Sequence, residues 1–175
     1  MGLPLPKPAM DRADFLAWEG SPRVKHEFVA GEVFAMVGAR QDHVVVAGAL
    51  FARLRERLRG TRCRAYTADM QLEVQAADAV FHRDVMVSRD EDDRKRPLAV
   101  QSPCLVVEVL SEGTAACDRG PRFAAYRLLP RCRSTCWSTS SDAAARCSGA
   151  TAPAGSWPSR LASRRCCSCT ASTWR

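Results

Sequence analysis

The stretch Pro103 to Ser111, PCLVVEVLS, constrains the fold more than any other part of the chain. Its near-continuous run of branched apolar residues reads as a strand buried on both faces, which requires helices packed on each side of the sheet that holds it. One acid, Glu108, interrupts that run. The shorter segment His82 to Val87, HRDVMV, carries a single acid in the same way, Asp84. An ionised carboxylate costs several kcal/mol to bury unless something compensates it, and a bound divalent cation does so readily. A lone acid of this kind is more often a structural ion pair or a strand end facing water. Two in neighbouring strands favour a site, and the expectation is that Asp84 and Glu108 meet around a magnesium-type ion.

The 175 residues suffice for one domain with a proper core. No apolar run is long enough for a membrane span, and the start MGLPLPKPAM lacks a secretion-signal layout, so a cytoplasmic protein without membrane contact is expected. The formal net charge of +7 misleads, because residues 131–175 hold seven arginines and one acid, which leaves the first 130 residues at +1. Nucleic-acid binding by the folded part therefore gains little support from charge alone.

Composition changes abruptly after Pro130. Residues 131–175 contain six of the nine cysteines and ten serines, but no Val, Ile, Phe, Tyr or Met. Such a segment cannot offset its ordering entropy by itself. A zinc module is disfavoured, since Cys166 and Cys167 are adjacent and no histidine follows position 82. A disordered basic arm fits the arginines but not the cysteines. A reading-frame slip accounts for both: GC-rich codons for Arg131 to Ser140, read in another frame, give the strand-like LPEYVLVDI. The expected organisation is a domain over 1–130 and a disordered or out-of-frame tail over 131–175.

Along the domain, Asp11 to Glu19 reads as a short helix with acids near its start. His26 to Val37 reads as a hairpin about Ala30-Gly31. Gln41 to Arg59 reads as the longest helix, with Leu50, Leu54 and Leu58 on its apolar side and His43 in its first turn. Strands are expected over Arg62–Tyr66, Met70–Val74 and Phe81–Val87. The charged run RDEDDRKRP from Arg89 to Pro97 reads as a solvated loop. Asp118 is expected to cap a helix running to Leu129.

The ordered series HEFVAGEVFAM, DMQLEV, RDVMVSRD, PCLVVEVLS and DRGPRFAAYRLLP, over roughly residues 10 to 130, resembles the Uma-type restriction endonuclease family, a branch of the PD-(D/E)XK nuclease superfamily. The resemblance implies a mixed α/β (α+β) fold, a restriction-endonuclease-like mixed sheet flanked by helices. It also implies metal-dependent hydrolysis of DNA, with Mg2+ or Mn2+ as cofactor and a homodimer as one assembly. The family's proline-aspartate element falls on Arg83-Asp84, its glutamate on Glu108, its glycine-glutamate turn on Gly31-Glu32 and its early-helix histidine on His43. Its lysine falls on Arg122. Asp84 and Glu108 are then the expected metal ligands, with Glu32 completing the shell. Arg122 is expected to stabilise charge on the phosphate, because a guanidinium does not deprotonate and cannot act as a base. Arg83 stands where the family has proline, and the family continues past Pro130 with a strand much like LPEYVLVD.

Overall fold

The computed structural model describes residues 10–21, 24–36, 38–110, 121–132, 134–139 and 142–148. In chain order the elements are α1 (Arg12–Glu19), β1 (His26–Val29), β2 (Glu32–Ala35), α2 (Gln41–Arg57), β3 (Arg64–Thr67), β4 (Gln71–Val74), β5 (Ala79–His82), β6 (Val85–Ser88), α3 (Glu91–Lys95), β7 (Ala99–Val100), β8 (Pro103–Leu110), α4 (Pro121–Tyr126), β9 (Ser134–Thr139) and β10 (Asp142–Ser148). This is an α+β fold with mixed sheets, as the sequence implied. The strands divide between two five-stranded sheets, ordered β2-β1-β5-β4-β7 and β10-β9-β8-β6-β3. Each is antiparallel except for one parallel pair, β4–β7 in the first and β8–β9 in the second.

The single strand expected over Phe81–Val87 is two. β5 pairs within the first sheet and β6 within the second, so Arg83 and Asp84 form the two-residue step by which the chain crosses between sheets. Strand alternation then assigns the faces. Phe28, Val33 and Val80 turn outward from the first sheet and pack on Phe15 of α1. Leu72, Val74 and Phe81 turn inward and meet Met86 and Val106 of the second sheet, with Tyr126 of α4 among them. The opposite face of the second sheet, Val85, Val107 and Val109, packs on Leu50 and Leu54 of α2. All eight residues of β8 are buried, which is the outcome its unbroken apolar run requires.

Local signals account for the boundaries. Asp11 caps α1 by accepting from the Asp14 N–H at 2.8 Å. The β1–β2 turn holds Ala30 at φ 48° and Gly31 at φ 88°, the positive pair that a two-residue hairpin turn demands. The charged run Arg89–Pro97 is not wholly solvated, which corrects the loop expectation. It contains α3, and Asp93 there is buried, accepting from the Ser88 hydroxyl at 2.6 Å and the backbone N–H groups of Gln101 and Ser102. With the Arg96 guanidinium, which donates to Asp93 Oδ1 at 3.1 Å, one acid satisfies four donors at the entry to β8. The cap assigned to Asp118 lies outside the described residues.

The second sheet continues beyond Pro130, where composition predicts no independent order. β9 runs parallel to β8 from Leu105↔Ser134 to Leu110↔Thr139, and β10 pairs with β9. The segment needs no core of its own, because the outer edge of β8 supplies a row of backbone donors and acceptors. Cys136 and Ser138 are buried by this docking. Ending the chain at Pro130 leaves that edge unpaired. The truncated protein is expected to melt at lower temperature and to associate with rising concentration in light scattering. A truncated chain that stays monomeric with an unchanged melting temperature contradicts this role for β9.

Candidate functional site

Glu27 lies on the inner face of β1 and is buried. Glu108 lies on the inner face of β8, and between them, on the crossing step, stands Arg83 with its side chain 1% exposed. The Arg83 guanidinium donates to Glu108 Oε1, to the Tyr126 hydroxyl and to Glu27 Oε1. Its carbon lies 5.1 Å from the Phe81 ring centre and 5.6 Å from that of Tyr126, distances at which a cation is drawn to an aromatic face. Tyr126 donates to Glu108 Oε1 at 2.7 Å, and Arg122 of α4 donates to Glu27 Oε2. Both sheets and α4 are therefore joined through one buried network of two acids, two guanidiniums and a phenol.

Burial by itself would lower the basicity of Arg83, but Glu108, Tyr126 and Glu27 more than reverse this and hold it firmly protonated. For Tyr126, burial pushes the phenol well above its ordinary range, with Arg83 opposing and Glu108 reinforcing the rise. It acts as a fixed donor at neutral pH.

Asp84 is engaged separately. Its Oδ1 meets His43 Nε2 at 2.8 Å, and its Oδ2 accepts from the Val109 backbone N–H at 2.7 Å. The side chains of His43 and Asp84 are 20% and 15% exposed, so this pair is within reach of solvent. The β6–β8 register pairs Val85 with Val107, which sets Asp84 across from Glu108 one step on. The two acids nevertheless answer to different layers. Asp84 is held by His43 from α2, whereas Glu108 is held by Tyr126 from α4.

Of the residues singled out from sequence, Asp84, Glu108, His43 and Arg122 fall within this region. Glu32 does not join it by any side-chain contact. It is exposed at the turn end of the hairpin, paired with Val29, two residues along from the Glu27↔Phe34 rung. Glu27, from the same hairpin, is the acid that joins the network. The signal was present in HEFV, where alternation puts Glu27 on the face of Val29, against the core.

A further acid fixes the frame around these residues. Glu19, at the end of α1, accepts from the His26 N–H at 2.7 Å and meets His26 Nδ1 at 3.0 Å and His82 Nε2 at 3.3 Å. Burial opposes its ionisation, but the bonds from His82 and His26 outweigh that and lower its pKa. His26 and His82 each precede a network residue, Glu27 and Arg83, so Glu19 anchors both backbones from the outer face.

The donor set was tested against a divalent ion. Carboxylate oxygens are the ligands that magnesium prefers, but as arranged these residues do not fit one. Both oxygens of Glu27 are held by guanidiniums, both oxygens of Asp84 are bonded, and Glu108 Oε1 takes two donors. Among the described residues no three His, Cys, Asp or Glu side chains converge as a metal cluster.

His43 carries a testable consequence. Its pKa is raised above 6.5, chiefly by the bond to Asp84, against burial and with help from the Glu108 charge. Because the folded value is the higher one, the stability this pair contributes is complete below about pH 6.5 and is lost as pH rises through the folded pKa. An NMR titration is expected to place the His43 ring above 6.5, and Asp84→Asn to bring it down; a ring that titrates identically in both proteins contradicts the pairing.

Comparison with known proteins agrees with this fold. The sequence profile of the Uma2 family, described as "Putative restriction endonuclease", matches residues 12–136. Two uncharacterized proteins of Synechocystis sp. are similar. One, slr1290, is 36% identical over 125 residues, covering 71% of this chain and 66% of that protein. The other, sll1609, is 30% identical over 121 residues, covering 68% of each. A crystal structure of a putative nuclease belonging to DUF820 from Anabaena variabilis superposes with a TM-score of 0.65 at 12% identity, over 85% of this chain and 84% of that one. No described helix is long and apolar enough to cross a membrane. With more than half of its length matched by the profile and a relative above 30% identity, the chain belongs to the Uma2 family.

Proposed function

We propose that this chain carries the scaffold of a DNA endonuclease that hydrolyses phosphodiester bonds with Mg2+ or Mn2+, an ion that Asp84 and Glu108 would hold once the Arg83 guanidinium is out of the site. One observation carries the reading. Glu27 and Glu108 meet at Arg83 and Asp84 is its chain neighbour, although folding alone is usually served as well or better by apolar residues in such positions. Retaining three acids there makes sense for a site that handles the charge of a phosphodiester. The family's description as restriction endonucleases supplies DNA as the substrate class.

The chain's own residues suit parts of that chemistry. His43, whose charged form is favoured by its bond to Asp84 and whose ring is partly exposed, is placed to donate a proton to a departing oxygen. The Val109 N–H orients Asp84, and through it the imidazole. Arg122 supplies fixed positive charge beside the acids and cannot act as a base.

A second reading is favoured by Arg83, whose guanidinium stands among the acids: in its present form the chain binds DNA without cutting it. The two readings separate in one set of assays on supercoiled plasmid. Position 83 lies between β5 and β6, outside both ladders, where a proline is tolerated. Arg83→Pro with magnesium or manganese is expected to nick the plasmid, and adding Asp84→Asn to abolish nicking. Wild-type protein is expected to retard DNA in a gel with little or no nicking. A folded Arg83→Pro protein that leaves the plasmid intact with either ion contradicts the endonuclease reading.

A further inference from the structure

The acids of this site already have a cation. Arg83 is fully buried, carries a guanidinium that does not deprotonate in proteins, and bridges Glu108 on one sheet to Glu27 on the other, with Tyr126 completing its bonds. Arg122 neutralises the second oxygen of Glu27, and His43 Nε2 lies 2.8 Å from Asp84 Oδ1. Three carboxylates thus face two guanidiniums and an imidazole. A divalent ion entering this zone finds the charges of Glu27 and Glu108 already met by guanidiniums. It also has to displace short charge-assisted bonds in a dry interior, where a guanidinium forced from its partners is left uncompensated.

We infer that the Arg83 side chain is the resident counter-ion of this site, and that it excludes the divalent metal from Glu108 by occupying the space between Glu27 and Glu108. The inference deepens the endonuclease reading, on which it rests for the identity of the excluded ion. The guanidinium is tethered by the backbone, so it does not exchange with solvent ions and its effective concentration at the acids cannot be diluted. One bond to each of two carboxylates on facing sheets, with a third to the Tyr126 hydroxyl, gives it a geometry that a single point charge lacks. One more detail fits a side chain serving as a substitute. Arg83 Nε is buried with no hydrogen-bond partner among the described residues, so the guanidinium uses its two outer nitrogens for the acids and leaves one donor unsatisfied. A residue placed only to staple the sheets has no need to carry that cost.

The inference is tested by metal binding, read separately from cleavage. Manganese is titrated into the wild-type protein by calorimetry, and melting temperatures are recorded with and without millimolar magnesium or manganese. The wild type is expected to show no heat of binding and no change in melting temperature. Arg83→Met and Arg83→Pro, which free the acids, are expected to melt lower without metal and to recover by several degrees with it. Glu108→Gln is expected to lower the wild-type melting temperature equally with and without metal, because it strands the guanidinium. Should either Arg83 variant fail to fold, the wild-type titration still decides. Manganese binding by the wild type that Glu108→Gln removes overturns the inference, whether or not the protein cuts DNA. Conversely, a metal-silent wild type with metal-responsive but non-cleaving Arg83 variants upholds the inference while sinking the endonuclease reading.

Discussion

The buried guanidinium of Arg83 is the contact on which the rest of this structure depends. It sits at the two-residue step between β5 and β6, where the chain leaves one sheet for the other, and its bonds run to both sheets and to α4. A charged group in that position is stable only while its partners remain. Removing one member of a buried pair typically costs about 3–5 kcal/mol, because the other is left uncompensated. Glu27, Glu108 and Tyr126 are thus required by Arg83 as much as they hold it. The outer-face anchor of Glu19 on His26 and His82 fixes the backbone on either side of the same network.

That constraint also divides the site. Glu108 and Glu27 are drawn into the interior between the sheets, whereas Asp84 is held near solvent by His43 and the Val109 N–H. Two acids on facing rungs are thereby committed to different helices. The His43–Asp84 pair stays within reach of solvent, and the interior acids join the two sheets through Arg83. A chain of this family can in this way retain its fold and the outline of its site while the balance of charge within the site is settled internally.

Much of this was legible in the sequence. The unbroken apolar run of PCLVVEVLS announced a strand covered on both faces; α2 covers one, while the other is covered by the first sheet together with α4 and not by helices alone. Asp84 and Glu108 stood out because each is a single acid in an apolar strand. Glu27 was harder to find, since the turn at Ala30-Gly31 drew attention to Glu32, and its partner Arg83 is distant in sequence. Asp93 was hidden in a run of charges whose average suggests solvent, and only the arrival of Ser88, Gln101 and Ser102 shows why that acid is inside. For Ser134–Thr139, composition reports what a segment can do alone. It does not register that the edge of β8 offers a template.

The most direct measurement is a crystal structure of the wild-type protein grown with millimolar manganese, with anomalous data collected for that metal. The account predicts guanidinium density for Arg83 between Glu27 and Glu108 and no anomalous peak there. An anomalous peak bonded to Glu108, with Arg83 swung away from it, contradicts the account.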